Sequence, residues 1–167
     1  MRTFLIGGAL GALVLALAAC GSSSASSTSQ QTLQRKADLW EIEQLEKNFH
    51  KATSRQDIDL MMSLWAPNAT FTIGPGKTLT GKKQIRRFWL LEALTFKPEN
   101  RWLSDTTAYK SRITANGDRG TLYLECHYID VKTRKVVFLA ASDDDVARIN
   151  GRWLITSSVG SSPTLSR

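Results

Sequence analysis

The sequence predicts an α+β domain: three N-terminal helices packed on one face of a curved antiparallel sheet. Three observations carry that prediction. Apolar residues recur at helical spacing as far as Phe96, the period changes to two from Trp102 onward, and turn signals such as Asn116-Gly117 and Asn150-Gly151 fall at hairpin spacing. Parallel strands need long crossovers, and the second half of the chain offers only short turns, so a doubly wound sheet is excluded. The 167 residues are 42% hydrophobic and 22% charged. That is apolar material for a single core and too much for wholesale disorder or a collagen-like or coiled-coil architecture.

The elements follow in order. Residues 1–19 read as an export leader: Arg2 gives the positive end, 4–19 is apolar but shorter than the ~20 residues a bilayer span needs, and Leu17-Ala18-Ala19-Cys20 closes it. Residues 20–36 form a tether rich in Ser and Gln with almost nothing to bury. The domain spans 37–161 and a short tail 162–167. Asp38 opens the first helix, with Glu41 as its capping-box partner and Leu39, Ile42, Leu45, Phe49 and Ala52 in one stripe. Asp57 caps a second helix carrying Ile58, Met61, Met62, Leu64 and Trp65 inward until Pro67 stops it. Thr70 to Ile73 alternates like a strand, Gly74-Pro75-Gly76 turns the chain, and a third helix from about Lys82 presents Ile85, Phe88, Trp89, Leu91, Leu94 and Phe96 on one wide face. Four meander strands then end near Thr114, run 121–131 and 136–149, and return through Trp153 and Ile155.

The leader resembles a bacterial lipoprotein signal, whose lipobox is matched by Leu17-Ala18-Ala19-Cys20; an ordinary signal peptide is the other reading. The resemblance implies lipid on Cys20, a membrane anchor and, with Gly21 rather than Asp next, the periplasmic side of the outer membrane in a two-membrane cell. With Cys20 acylated, Cys126 has no disulfide partner and reads as a small buried hydrophobe. Removing Arg2 with the leader lowers the net charge from +7 to +6. An exported basic protein meets anionic lipid or cell-wall polymer rather than nucleic acid.

The body carries a second resemblance. The order of helix, helix, Trp65-Ala66-Pro67-Asn68-Ala69-Thr70-Phe71, then Leu79-Thr80-Gly81 opening a helix, and finally Asp144-Asp145-Val146-Ala147-Arg148-Ile149-Asn150-Gly151-Arg152-Trp153 is similar to the SnoaL-like branch of the nuclear transport factor 2-like superfamily. That resemblance implies a cone-shaped half-barrel with a pocket between sheet and helices. It leaves function open among isomerases, cyclases, dehydratases and binding modules. It also implies an inward Asp at Asp144. Several enzymes of the family carry a His near the start of the first long strand, where this chain reads Arg101-Trp102-Leu103-Ser104-Asp105.

Side-chain parity selects the pocket residues. With Asn150-Gly151 as a two-residue turn, Val146 pairs with Ile155 and Asp144 with Ser157, so Ser142, Asp144, Val146, Ile155 and Ser157 share the concave face. With Thr133-Arg134 as the preceding turn, Tyr123, Glu125, His127 and Ile129 join Phe138, Ala140, Ser142 and Asp144. One extra loop residue or a bulge sends Leu122, Leu124, Cys126 and Tyr128 inward instead, and both registers stand. In the first, Asp144 is a general base, and Tyr123 or His127 donates to a developing oxyanion. Otherwise Asp144 belongs to a solvated acidic edge with Asp143 and Asp145, or pairs with an Arg. A buried Glu125 needs a partner or the outward register. His127 reads otherwise as an outward sheet residue, and His50 as a surface helix residue.

Trp40, Trp65, Trp89, Trp102 and Trp153 all read as core; the other reading of Trp65 and Trp89, on facing helices, is a pocket wall, with Phe138, Ser142 and Ser157 as further ligand-binding candidates. Lys77, Lys82, Lys83, Arg86 and Arg87 make a solvated basic face. No Gly-rich phosphate loop, HExxH, paired CxxC or GxSxG occurs, so neither metal nor organic cofactor is expected. The expected function is a membrane-anchored envelope protein whose domain binds a small apolar ligand or a protein partner, with a homodimer through the outer sheet face. The alternative is a cofactor-independent isomerase, cyclase or dehydratase using Asp144.

Overall fold

A computed structural model describes residues 23–105 and 111–161. The leader, Cys20 and the tail 162–167 lie outside the described residues. The element order is α1 (Ser23–Arg55), α2 (Ile58–Ser63), β1 (Trp65–Ile73), β2 (Lys77–Thr80), α3 (Gly81–Leu91), a 3-10 turn (Leu94–Phe96), β3 (Trp102–Asp105), β4 (Arg112–Asn116), β5 (Arg119–Asp130), β6 (Val136–Ile149) and β7 (Arg152–Ser161). The sheet runs β2-β1-β7-β6-β5-β3, with β4 also on β5. All pairings are antiparallel except β1 with β7. The α+β class holds, with helices before and within the start of an antiparallel-dominated, unclosed sheet.

The helix begins fifteen residues earlier than expected, at Ser23 rather than Asp38. Residues 27–37 are exposed, so these turns are not held by packing. Once 38–55 is docked, each added residue contributes a backbone hydrogen bond without a new nucleation cost, and the Ser-rich segment continues the helix instead of forming a coil. Asp38 is therefore no cap. It is buried mid-helix and accepts from Gln34 Nε2 at 2.9 Å and from the Arg148 guanidinium. Burial raises its carboxyl, but the hydrogen bonds from Arg148 and Gln34 outweigh that and hold it below the ordinary value. Arg148 also donates to Asp118 at 3.0 Å and lies 5.0 Å over the Trp153 ring, clasping α1 to the β6–β7 hairpin.

Asp57 caps α2 as expected, accepting from Leu60 N–H at 2.9 Å. Trp65, however, stands on β1 rather than on a helix. Residues before a proline are driven toward extended backbone, and the pairing with β7 shifts between Trp65 and Thr70, where Pro67 needs no donor. The third helix ends at Leu91, so its buried face is narrower than its sequence stripe: Ile85 and Trp89 are buried while Leu91 and Leu94 are exposed. Trp40, expected in the core, is 61% exposed.

Two bulges decide which residues face the helices. Pairing passes from Tyr128↔Phe138 to Ile129↔Val136, leaving Val137 of β6 extra, and from Asp145↔Ser157 to Val146↔Ile155, leaving Thr156 of β7 extra. Five residues, 131–135, connect β5 and β6, and Asp130 N–H to Lys135 O at 3.0 Å closes a four-residue turn over 131–134, with Arg134 at φ 58°. Lengthening the loop by two keeps the assumed parity; the bulge at Val137 reverses it. Leu122, Leu124, Cys126 and Tyr128 therefore point inward, all at most 3% exposed. They pack with Ile42, Trp65, Val146 and Ile155 in the core between sheet and helices.

Candidate functional site

An apolar cavity of about 350 Å³ opens between the concave sheet face and the helices. Its helical wall is built on Trp89, buried on α3 and surrounded by rings. Phe49 of α1 meets it edge-on at 5.7 Å, Phe71 of β1 lies parallel at 6.2 Å, and Phe96 closes at 5.3 Å. Trp65 backs Phe71 at 5.3 Å. The sheet contributes Cys126 and Tyr128 from β5, Phe138, Ala140 and Ser142 from β6, and Ser158 and Gly160 from β7. Tyr128 and Phe138 stack at 5.5 Å. The exposed residues Gly74, Glu92, Leu94 and Ser161 border the opening.

At one end the wall turns polar. Asp144, 4% exposed, lies behind Ser142 and Ser158, with Ser142 Oγ donating to its Oδ2 at 3.2 Å. The second oxygen, Oδ1, is buried with no hydrogen-bond partner. Burial pushes the carboxyl up from 3.8 to about 7; the hydrogen bonds from Ser158 and Ser142 pull against that, while Asp143 and Asp145 add to it. The solvated acidic edge is thus formed by Asp143 and Asp145 alone, both exposed, and the Arg of the other alternative pairs with Asp38 instead.

The structure brings Trp65, Trp89, Phe138 and Ser142 to the cavity, with Asp144 behind it, and separates the rest. Ser157 pairs with Asp145 and is replaced in the wall by Ser158, because of the extra residue Thr156. Tyr123 and His127 project from the opposite face of β5. There Tyr123 Oη donates to Glu125 Oε1 at 3.0 Å, His127 Nε2 lies 3.5 Å from Glu125 Oε2, and Arg112 stacks 3.7 Å over the Tyr123 ring. These contacts are the partners that a buried Glu125 required, and they leave neither Tyr123 nor His127 within reach of Asp144. His50 is buried too, not a surface residue. Cys126 is buried and unoxidised, its thiol pushed up to about 12 by burial, as suits a small hydrophobe. Sequence reasoning missed Phe49 and Phe71 as wall residues. It also missed the burial of Glu46, His50 and Thr53, although these lie at helical spacing beside the Ile42–Phe49 stripe.

Residues 34–159 match the SnoaL-like domain model, and the chain belongs to that family. Solved structures sharing the fold include an NTF2-like protein of unknown function from Pseudomonas putida, at 16% identity and a TM-score of 0.66, covering 77% of this chain and 88% of that one. An NTF2-like protein with a cystatin-like fold from Novosphingobium aromaticivorans matches at 14% identity and 0.66, covering 87% and 94%. A hexachlorocyclohexane dehydrochlorinase from Novosphingobium barchaimii matches at 15% identity and 0.64, covering 81% and 92%. No curated protein matches the sequence significantly.

Proposed function

We propose that the domain binds a small, largely apolar ring compound between Trp89 and the concave sheet face, held at a membrane by lipid on Cys20. The observation that carries the ligand is the cavity itself: about 350 Å³ lined by aromatic and aliphatic side chains, within the range of small-molecule sites. Because Trp65 and Trp89 line it, intrinsic fluorescence reports occupancy directly. A panel of bicyclic hydrocarbons and ketones titrated against residues 23–167 should give saturable quenching, and a ligand at a hundred times its Kd should add about 2.7 kcal/mol of stability. No quenching and no rise in Tm across the panel would sink the reading. For the anchor, Cys20→Ser should move the protein from the detergent to the aqueous phase; unchanged partitioning would remove it.

A second reading, cofactor-independent proton transfer, is favoured by one observation. Asp144 is a buried carboxyl poised near neutrality with an unpartnered oxygen. Ser142 and Ser158 stand between it and the cavity, so a proton leaving the ligand would reach Asp144 through a serine hydroxyl. One neighbour in fold is a dehydrochlorinase, so the architecture houses an enzyme elsewhere. Under this reading Asp144→Asn lowers turnover at least about a hundredfold while leaving ligand affinity near the wild-type value.

A further inference from the structure

A second buried polar chain reaches the same cavity from α1. Glu46 and His50 stand one helical turn apart, each 7% exposed, with Glu46 Oε1 3.2 Å from His50 Nε2. The other ring nitrogen, Nδ1, lies 2.7 Å from Ser104 Oγ on β3. Ser104 is held from behind, its backbone N–H donating to Ser54 Oγ at 2.8 Å. Ser104 stands directly opposite Tyr128 on the sheet, and Tyr128 and Cys126 both line the cavity. Asp144 is no member of this chain: it lies opposite Leu122 on β6, and although its charge reaches Cys126, it lies far from Tyr128. Tyr128 pairs with Phe138, and Phe138 precedes Asp144 by six residues on β6, about 20 Å of extended strand.

The donors and acceptors give the chain a direction. Glu46 Oε1 offers an acceptor to Nε2, and the tautomer with its proton there leaves Nδ1 to accept from the Ser104 O–H. The Ser104 oxygen keeps a lone pair for a donor from its cross-strand neighbour Tyr128. Burial raises the Tyr128 phenol well above its ordinary value, so it stays a neutral donor at physiological pH. Tyr128 lines the cavity, so its hydroxyl can turn from Ser104 toward a ligand. Among the described residues neither Lys nor Arg lines the cavity, and the one charged wall residue, Glu92 at the opening, is paired with Lys77. An anion would therefore go unmatched, whereas a neutral oxygen acceptor would not.

We infer that the Tyr128 hydroxyl is an oxygen-recognition subsite, positioned by the Glu46–His50–Ser104 chain, for a small ring compound bearing a carbonyl group. The inference rests on the ligand-binding reading above. Tyr128 touches the ligand; Ser104, His50 and Glu46 are positioning residues that act through it.

Indanone and indane, alike in shape but for the carbonyl, separate the two readings. Tyr128→Phe should weaken indanone about fivefold and leave indane within about twofold, as expected for one exchanged hydrogen bond. Unchanged indane binding also shows that the variant is folded. In the infrared, the carbonyl band of bound indanone should shift to lower wavenumber in the wild type and not in Tyr128→Phe. Ser104→Ala should broaden the shifted band as the hydroxyl loses its fixed direction, and Ser104→Thr should narrow it again. Equal indanone affinity in wild type and Tyr128→Phe overturns the subsite and leaves the cavity reading standing. A Ser104→Ala band identical to wild type overturns the positioning role. Failure of both compounds to bind the wild type overturns the cavity reading itself, and the subsite falls with it.

Discussion

Asp144 makes the protein less stable at alkaline pH than at acidic pH, by an amount its environment sets. The folded carboxyl is raised from 3.8 to about 7. Between those values the folded state holds a proton that the unfolded chain has released, so stability falls as pH rises through this window. The change of about three pH units, at 1.36 kcal/mol each, amounts to roughly 4 kcal/mol, absent below pH 4 and fully present above pH 7. Asp144→Asn cannot ionise and escapes the penalty, although its amide sits where Oδ1 is unpartnered at every pH. Urea denaturation of both proteins at pH 5 and pH 8.5 isolates the effect. The variant should gain on the wild type by about 3 kcal/mol between the two conditions, most of that window being crossed. A difference between the two proteins that is the same at both pH values would refute the argument, and a carbon-13 carboxyl titration with its midpoint near 4 would locate the error in the burial of Asp144.

Three further outcomes follow from the geometry. Arg148→Ala leaves Asp38 buried with only Gln34 donating, and should cost about 2 kcal/mol in chemical denaturation, less than a wholly buried pair because Arg148 is 21% exposed. Gly120→Ala places a Cβ 2.3 Å from the Thr114 carbonyl oxygen, so the β4–β5 hairpin must shift; an overpacking cost of about 2 kcal/mol should appear as a fall of roughly 5 °C in Tm. His127→Ala removes a side chain on the sheet's outer face and should leave ring-compound binding within about twofold of wild type, since it breaks no cavity contact, only a 3.5 Å approach to Glu125.

Local signals carried far in the sequence. Asp57, the Ile42–Phe49 stripe and Asn150-Gly151 each announce an element through its own chemistry, and each element formed there. The concave wall was legible from Val146 and Ile155 back through Ser142 to Phe138 because a two-residue turn fixes the pairing on its near side. What was not legible depended on a single residue whose extra place nothing local announces. Val137 and Thr156 are ordinary strand formers, and their position as bulges is set by the shape into which the helices must pack. Of the two registers the sequence leaves open, the one that turns Tyr123 and His127 inward is therefore not the one formed, and Ser158 takes the place expected of Ser157. Asp38 illustrates a different limit. An acidic residue before an apolar stripe is what a cap looks like, and only Arg148, 110 residues away, makes it the centre of an ion pair.

The bulge at Val137 also bears on how this architecture can diversify. It stores two chemically different surfaces on one strand, the apolar set of Leu122 and Leu124 and the polar set of Tyr123, Glu125 and His127. Deleting one residue would exchange them, and with them the hydrophobic core would turn to solvent. Length changes of one are therefore barred in the stretch of β6 between the bulge and the Asn150-Gly151 turn. The loop 131–134 lies outside that stretch and tolerates changes of two residues, which keep the parity of β5 against β6. Descendants of such a chain are confined to retuning the cavity by substitution, at places such as Ser142, Ser158 and Tyr128, while insertions collect at the hairpin tip and leave the specificity of the interior untouched.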